Sequence, residues 1–468
     1  MLMKIVHITA ECYPVAKVGG LADVAGALPK YQNELEAESS VIMPFYNNTF
    51  TKSHTFKTIH SGTLQLEKKH DFKVLALEEN DLGFDLFLID VPDLLYTEFV
   101  YSEDDTERFL AFQIATLDWI VQLKDLPSLI HCHDHHTGLI PFMMSHSKAY
   151  DSLRMTPSVL TIHNAQYQGW FSHEKAHLIP KFPQKKVGLL DWDHCINPLA
   201  TAIKCSWRVT TVSPSYMEEL KEKANGLEDL LAHETIKCVG ILNGIDSRVW
   251  NPETDDYLTK NYSKTSVLSG KKANKAALCK RFDLDPDLPL FAFIGRLVGE
   301  KGADLFPEIF DNALSSYKIS VLLLGSGQVE VEKELTALKK KYSGTYNAYI
   351  GYDEALSHLI YAGADFLLMP SRVEPCGLNQ MYALRYGTIP IVSSVGGLMD
   401  TVVDIDKDGF GFRHDEVSVP AVVKAMGRAV KLYKKETEFK KIRKYIMTID
   451  HSWNASAQEY IRLYKSLI

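Results

Sequence analysis

The chain has 468 residues, 46% of them hydrophobic, and a formal net charge of −8 from 51 basic and 59 acidic side chains. The length predicts two or three domains with ample core, and no long basic or acidic run speaks for a nucleic-acid or membrane-surface role. No stretch approaches the roughly 18 apolar residues of a membrane helix, and seven scattered cysteines without a C-x-x-C pair read as reduced thiols in a cytoplasmic protein.

The N-terminus, Met1–Ala10, reads MLMKIVHITA and turns polar at Glu11, which predicts a first β-strand rather than a signal segment. Further apolar runs follow at Ser40–Met43, Leu86–Asp90, Leu129–His133, Val159–His163, Val209–Ser213 and Val239–Leu242. Several are apolar on both parities, as strands covered on both faces should be. Leu110, Ile114, Leu117 and Val121 fall at helical spacing, and Ser213-Pro214 reads as an N-cap followed by proline in the first helical turn. Asn243-Gly244-Ile245-Asp246 and Asn251-Pro252 punctuate the middle of the chain, where a hinge is expected. The second half repeats the plan, with strands at Leu290–Ile294, Val321–Leu324, Phe366–Met369 and Ile389–Ser393 and helices at Glu330–Lys341, Cys376–Tyr386 and Val419–Lys434. Alternating strands and helices predict an α/β fold of two doubly wound, Rossmann-like lobes with parallel sheets and an interdomain cleft. The expected domains are 1–245 and 246–449, and ligands should bind beyond the carboxyl ends of the strands.

Three loops at such strand ends have the chemistry to hold a phosphorylated ligand. Lys17-Val18-Gly19-Gly20 follows the first strand and precedes a helical stretch. Adjacent glycines permit close backbone approach, and helix amides beside a lysine favour an anion; a glycine turn with a solvated lysine explains the same residues equally well. GRLVGEKG, Gly295–Gly302, is the second-half counterpart, with Arg296 and Lys301 suited to a diphosphate. SRVEPCGLNQ, Ser371–Gln380, places Glu374 in a turn where a carboxylate can meet ligand hydroxyls, and Cys376-Gly377-Leu378 at the expected opening of a helix. His163 and Asn164 stand just past a strand. The run His131–His136 imitates a metal site, but ligands so close in sequence rarely converge on one ion. Asp404, Asp406, Asp408 and Asp415 imitate a calcium loop without its flanking helices, and a plain turn is expected. No metal site is predicted.

KVGGLADV, HDHHTG, TIHN, LNGID, GRLVGEKG, GYDEALSH, PSRVEPCGLNQ and VGGLMDTV occur in this order over nearly the whole chain. The set resembles the glycogen/starch synthases of bacteria and plastids, which are retaining glycosyltransferases of the GT-B fold. The resemblance implies transfer of glucose from a nucleotide diphosphoglucose, ADP-glucose in bacterial members, to the non-reducing end of an α-1,4-glucan such as glycogen. ADP-glucose is then a co-substrate, and no cofactor is implied. Lys17, Gly19 and Gly20 match the loop that meets the donor's diphosphate and sugar, and Arg296 and Lys301 the cations at the departing diphosphate. Glu374 matches the carboxylate beside the donor glucose, Cys376, Gly377 and Leu378 its supporting backbone, and His163 the histidine near the transferred sugar. Tyr352 matches the ring on the base, Asn243 the hinge position, and Asp134 and His136 the acceptor side. A final helix, about 450–468, is expected to return to the first lobe. Val18, His135, Glu300 and Asn379 stand where the family commonly has Thr, Trp, Gln and Thr.

Other readings are a related transferase with a small acceptor, a glucan-binding protein without turnover, and a nicotinamide oxidoreductase. The last lacks the G-x-G-x-x-G fingerprint and its ribose-binding acid. Oligomeric state is open.

Overall fold

The computed structural model describes residues 2–35 and 37–468; Met1, which the sequence reading includes in the first strand, lies outside them. Two compact units divide the chain, Met1–Leu242 together with Trp453–Ile468, and Asn243–Ser452.

Among the described residues, the first unit holds a nine-stranded sheet. Its spatial order is Cys238–Gly240, Arg208–Thr211, Ser158–Ile162, Leu129–His133, Met3–Ile8, Ala37–Pro44, Asp85–Asp90, Lys69–Leu77 and Phe56–Gln65. The first seven are parallel, and the last two form an antiparallel hairpin at the edge. That hairpin departs from the all-parallel expectation. Lys69–Leu77 alternates exposed and buried residues almost perfectly, the pattern of a sheet wet on one face, whereas the continuous apolar runs mark strands covered twice. Ser213 accepts from the amide of Tyr216 and Pro214 occupies the first turn, which starts the helix Pro214–Glu222 where the sequence places it. The C-terminal helix Trp453–Lys465 packs on this unit, with Trp453, Tyr460 and Tyr464 against Ile5, Leu28, Leu129 and Val159.

The second unit has a six-stranded parallel sheet, in the order Tyr346–Ile350, Ser320–Gly327, Leu290–Leu297, Phe366–Met369, Ile389–Ser393 and Phe412–His414. The two outer strands carry no long apolar run and escape the sequence reading. The predicted strand Leu290–Ile294 continues to Leu297, paired with Ser326 and Gly327, so Arg296 projects from the strand itself. The expected helix Cys376–Tyr386 is shorter, Asn379–Arg385, because Gly377 at φ +74° turns the chain before it. Helices bury core residues on both faces of the sheet.

Candidate active site

In the first unit the strands Met3–Ile8, Leu129–His133 and Ser158–Ile162 end side by side, and the predicted residues of this lobe gather at their carboxyl ends. Asp134 leaves its strand at φ +56°, a conformation that costs a non-glycine residue energy and that functional sites retain. Its buried carboxylate accepts the backbone N–H of His163 at 2.7 Å. Burial pushes its acidity up to about 7, with the amides of His163 and Asn164 pulling the other way. His136 is buried between the rings of Tyr101 and Phe109.

The loop at Lys17 differs from the expectation in two respects. The amides of Val18 and Gly19 are not free for an outside anion: both donate to the Glu11 carboxylate, at 2.5 and 2.8 Å. Lys17 is held by Asp23 at 2.6 Å. Gly19 is extended (φ −136°), not a left-handed turn, and a Cβ at either Gly19 or Gly20 would meet nothing within 4 Å. Local sterics therefore do not require these glycines. Glu11 also accepts from Tyr101, whose ring stacks on His136, so one carboxylate links the Lys17 loop to His136. Glu11 and Tyr101 were not singled out by sequence; the only cue was a charged residue directly after an apolar strand.

Behind His163 lies a buried relay. His163 Nε2 meets His133 Nδ1 at 3.0 Å, His133 Nε2 meets His7 Nδ1 at 3.1 Å, and His7 Nε2 meets the Gln32 amide oxygen at 2.8 Å. That oxygen only accepts, so His7 Nε2 carries a proton. Burial keeps His7 and His163 neutral, lowering them to about 4 and about 3, and holds His133 well below the ordinary histidine range. Each neutral ring has one N–H, so the order of donors follows: His133 gives to His7, and His163 gives to His133 through Nε2. His163 Nδ1 is left as the lone-pair atom. His7, His131 and His133 also bring nitrogens within 4.8 Å of one another. All are engaged, however, since His131 bonds Tyr464 and Thr161 at 2.6 Å each; a metal would have to break this network.

In the second unit, Lys301 Nζ and the buried Glu374 carboxylate lie 2.6 Å apart, and Ser371 donates to the same oxygen at 3.0 Å. Gly302, at φ +69°, lets the first loop pass the Pro370 carbonyl; a Cβ there would sit 2.3 Å from that oxygen. Arg372 joins the two loops by donating to Gly299 O at 2.5 Å and gripping Asp304. Arg296 is exposed, 3.9 Å from Glu300, so the family-atypical glutamate shares its field. The α-helix after this loop begins at Phe306, beyond two short 3₁₀ turns.

Cys376, Gly377 and Leu378 precede their helix, and Gln380 returns to the carbonyls of Cys376 and Gly377. The buried amide oxygen of Asn243 has no partner among the described residues. Asn379 donates to Ile294 O at 2.7 Å and so serves the scaffold. Gly396 and Gly397, seen in sequence only as part of a motif, press on the Glu374 turn: a Cβ at either would lie 2.2 Å from the carbonyl of Glu374 or Cys376. Tyr352 follows the neighbouring strand Tyr346–Ile350 and is 84% exposed. The Asp404 turn is closed by its own bonds to Asp406, Arg413 and Arg428.

Two Rossmann-like units with cations and a carboxylate at strand ends define a GT-B glycosyltransferase. A family model described as starch synthase catalytic domain matches residues 4–233, and one for group 1 glycosyl transferases matches residues 275–444. The glycogen synthase of Flavobacterium johnsoniae is 51% identical over 100% of this chain and 99% of its own, and that of Streptococcus mutans is 36% identical over 99% and 100%. The catalytic domain of Arabidopsis thaliana starch synthase IV, solved with ADP and acarbose, superposes with a TM-score of 0.86 at 32% identity, covering 100% of this chain and 99% of that one. The chain belongs to the glycogen/starch synthase family and is a glucosyltransferase.

Proposed function

We propose that the chain transfers glucose from ADP-glucose to the non-reducing end of an α-1,4-glucan, with retention of configuration. The Lys301–Glu374 pair carries this reading. Cleavage of a glycosyl phosphate develops negative charge on the leaving diphosphate and positive charge on the sugar ring. A cation and a carboxylate fixed side by side match that separation of charge before the reaction starts. Lys301 and Arg296 take the diphosphate, Glu374 faces the sugar, and Asn243 with Cys376, Gly377 and Leu378 shapes the surrounding backbone. Tyr352 offers its ring to the base. In the first unit Lys17, Gly19 and Gly20 serve donor binding, His163 the transferred glucose, and Asp134 and His136 the glucan. The choice of ADP-glucose and glucan draws support from the ADP and acarbose bound to the Arabidopsis relative. Among the described residues no helix is long and apolar enough to cross a membrane; the seven cysteines are free thiols, which supports a cytoplasmic setting.

The test is glucosyl transfer to glycogen with ADP-glucose and UDP-glucose side by side. A lengthening oligosaccharide ladder made from ADP-glucose is expected; no extension from either donor overturns the proposal. The mechanism uses no metal, so activity should survive exhaustive chelation, and a strict divalent requirement would remove that part.

A further inference from the structure

The relay behind His163 continues beyond Gln32 to the C-terminal helix. Gln32 sends its amide nitrogen to the Tyr464 hydroxyl at 3.3 Å. Tyr464 meets His131 Nδ1 at 2.6 Å, and His131 Nε2 meets Thr161 Oγ1 at 2.6 Å. Thr161 meets Thr210 Oγ1 at 2.6 Å, and Thr210 lies 3.2 Å from the Leu160 carbonyl oxygen. All of these side chains are buried. Burial holds His131 well below the ordinary histidine range and Tyr464 well above the ordinary phenol range, so both are neutral. One carbonyl therefore orders every proton in the series. Leu160 O only accepts, so Thr210 donates to it and Thr161 donates to Thr210. Thr161 then accepts from His131 Nε2–H, which leaves His131 Nδ1 to accept from Tyr464. Tyr464, already donating, can only accept from Gln32, and so takes the amide nitrogen and not the oxygen. The amide has nearly the same shape either way round, and Ser39, 2.7 Å from its oxygen, can donate or accept. Tyr464 is thus the group that tells the two ends of the amide apart.

We infer that Tyr464 is a positioning residue for glucosyl transfer: through Gln32 it fixes which nitrogen of His163 bears the proton and keeps Nδ1 an acceptor for a sugar hydroxyl. With the amide turned over, Gln32 would donate to His7 Nε2, and His7 and His133 would each donate through Nδ1. His163 Nε2 would then accept, and Nδ1 would carry the proton toward the sugar. The proton order stands on the geometry alone; its use in catalysis rests on the glucosyl-transfer reading.

The test is Tyr464→Phe in the full chain, which keeps the ring beside Tyr460 and His131 and removes the hydroxyl. The Gln32 N–H that meets Tyr464 would then be buried without a partner. The turned amide leaves only its oxygen so, and an orphaned carbonyl is the more readily tolerated. The amide should turn and the relay reverse. Nitrogen NMR on protein with labelled histidine should show His163 change from Nε2–H to Nδ1–H. In steady-state transfer from ADP-glucose to glycogen, kcat should fall roughly tenfold, as for loss of one hydrogen bond to the sugar, with the KM for ADP-glucose little changed. Gln32→Met removes the selector, so adding Tyr464→Phe to it should alter neither the His163 signal nor kcat. Wild-type transfer with His163 unchanged in Tyr464→Phe, or an equal loss of kcat in the Gln32→Met background, overturns the positioning role and leaves the synthase reading intact. A chain without transfer in which Tyr464→Phe still moves the proton supports the proton order and overturns the synthase reading instead.

Discussion

Lys301→Ala separates the two roles of the Lys301–Glu374 pair. Lys301 retains 23% of its side-chain exposure and Glu374 10%, so solvent weakens the pair only in part. Removing one member of a fully buried pair costs about 3–5 kcal/mol; here, with Ser371 still donating to Glu374, about 1–3 kcal/mol is expected. A lobe of this size should then melt a few degrees lower, at about 2–4 °C per kcal/mol. The effect on rate should be larger, because loss of one preorganised charge at a developing oxyanion costs about 2.7–4 kcal/mol, or 100- to 1,000-fold in kcat. The double variant Lys301→Ala/Glu374→Gln removes the stranded carboxylate and should regain melting temperature without regaining activity. Initial-rate assays with ADP-glucose and thermal melts of both variants check this. A single variant with kcat within about threefold of the wild type, or a double variant with restored rate, refutes the assignment.

Asp134→Asn probes the buried acid. Its folded acidity, near 7, lies above the ordinary 3.8, so the folded state holds a proton that the unfolded chain gives up between about pH 4 and 7. Stability through this group is therefore full below pH 4 and is lost as the pH rises through 7. Asparagine mimics the neutral acid, and the variant should match the wild type in melting temperature near pH 4.5 and exceed it near pH 8, by a few kcal/mol at most. Gly19→Ala and Gly396→Ala form a contrasting pair. The first adds a Cβ in open space and should leave the melting temperature level or slightly raised while the KM for ADP-glucose increases; the second drives a Cβ to 2.2 Å from Glu374 O at φ +43° and should cost about 1–3 kcal/mol of stability as well as kcat. His133→Phe breaks the relay, so nitrogen NMR should report loss of the Nε2–H preference of His163, with kcat falling about 10- to 100-fold; an unchanged tautomer would falsify the proton order.

The sequence by itself determined the fold class and which candidate residues follow the strands of each sheet. Continuous apolar runs such as Leu129–His133 and Phe366–Met369 specify strands covered on both faces, and in a parallel sheet whatever follows such a strand stands at the ligand-binding edge. Asp134, His163 and Glu374 were legible as residues beyond strand ends for that reason. Only the tertiary structure decided what those residues touch, because the contacts join segments remote in the chain. Glu11 takes the Lys17-loop amides that sequence leaves free for an anion, and Tyr101, 90 residues on, completes its shell. His7, unremarkable on the first strand, becomes the third ring of a relay because Met3–Ile8 and Leu129–His133 pair in register. The glycines divide in the same way. Local sequence cannot tell Gly396, pressed against Glu374 O, from Gly19, which faces open space, since the difference lies in neighbours that folding alone brings within reach.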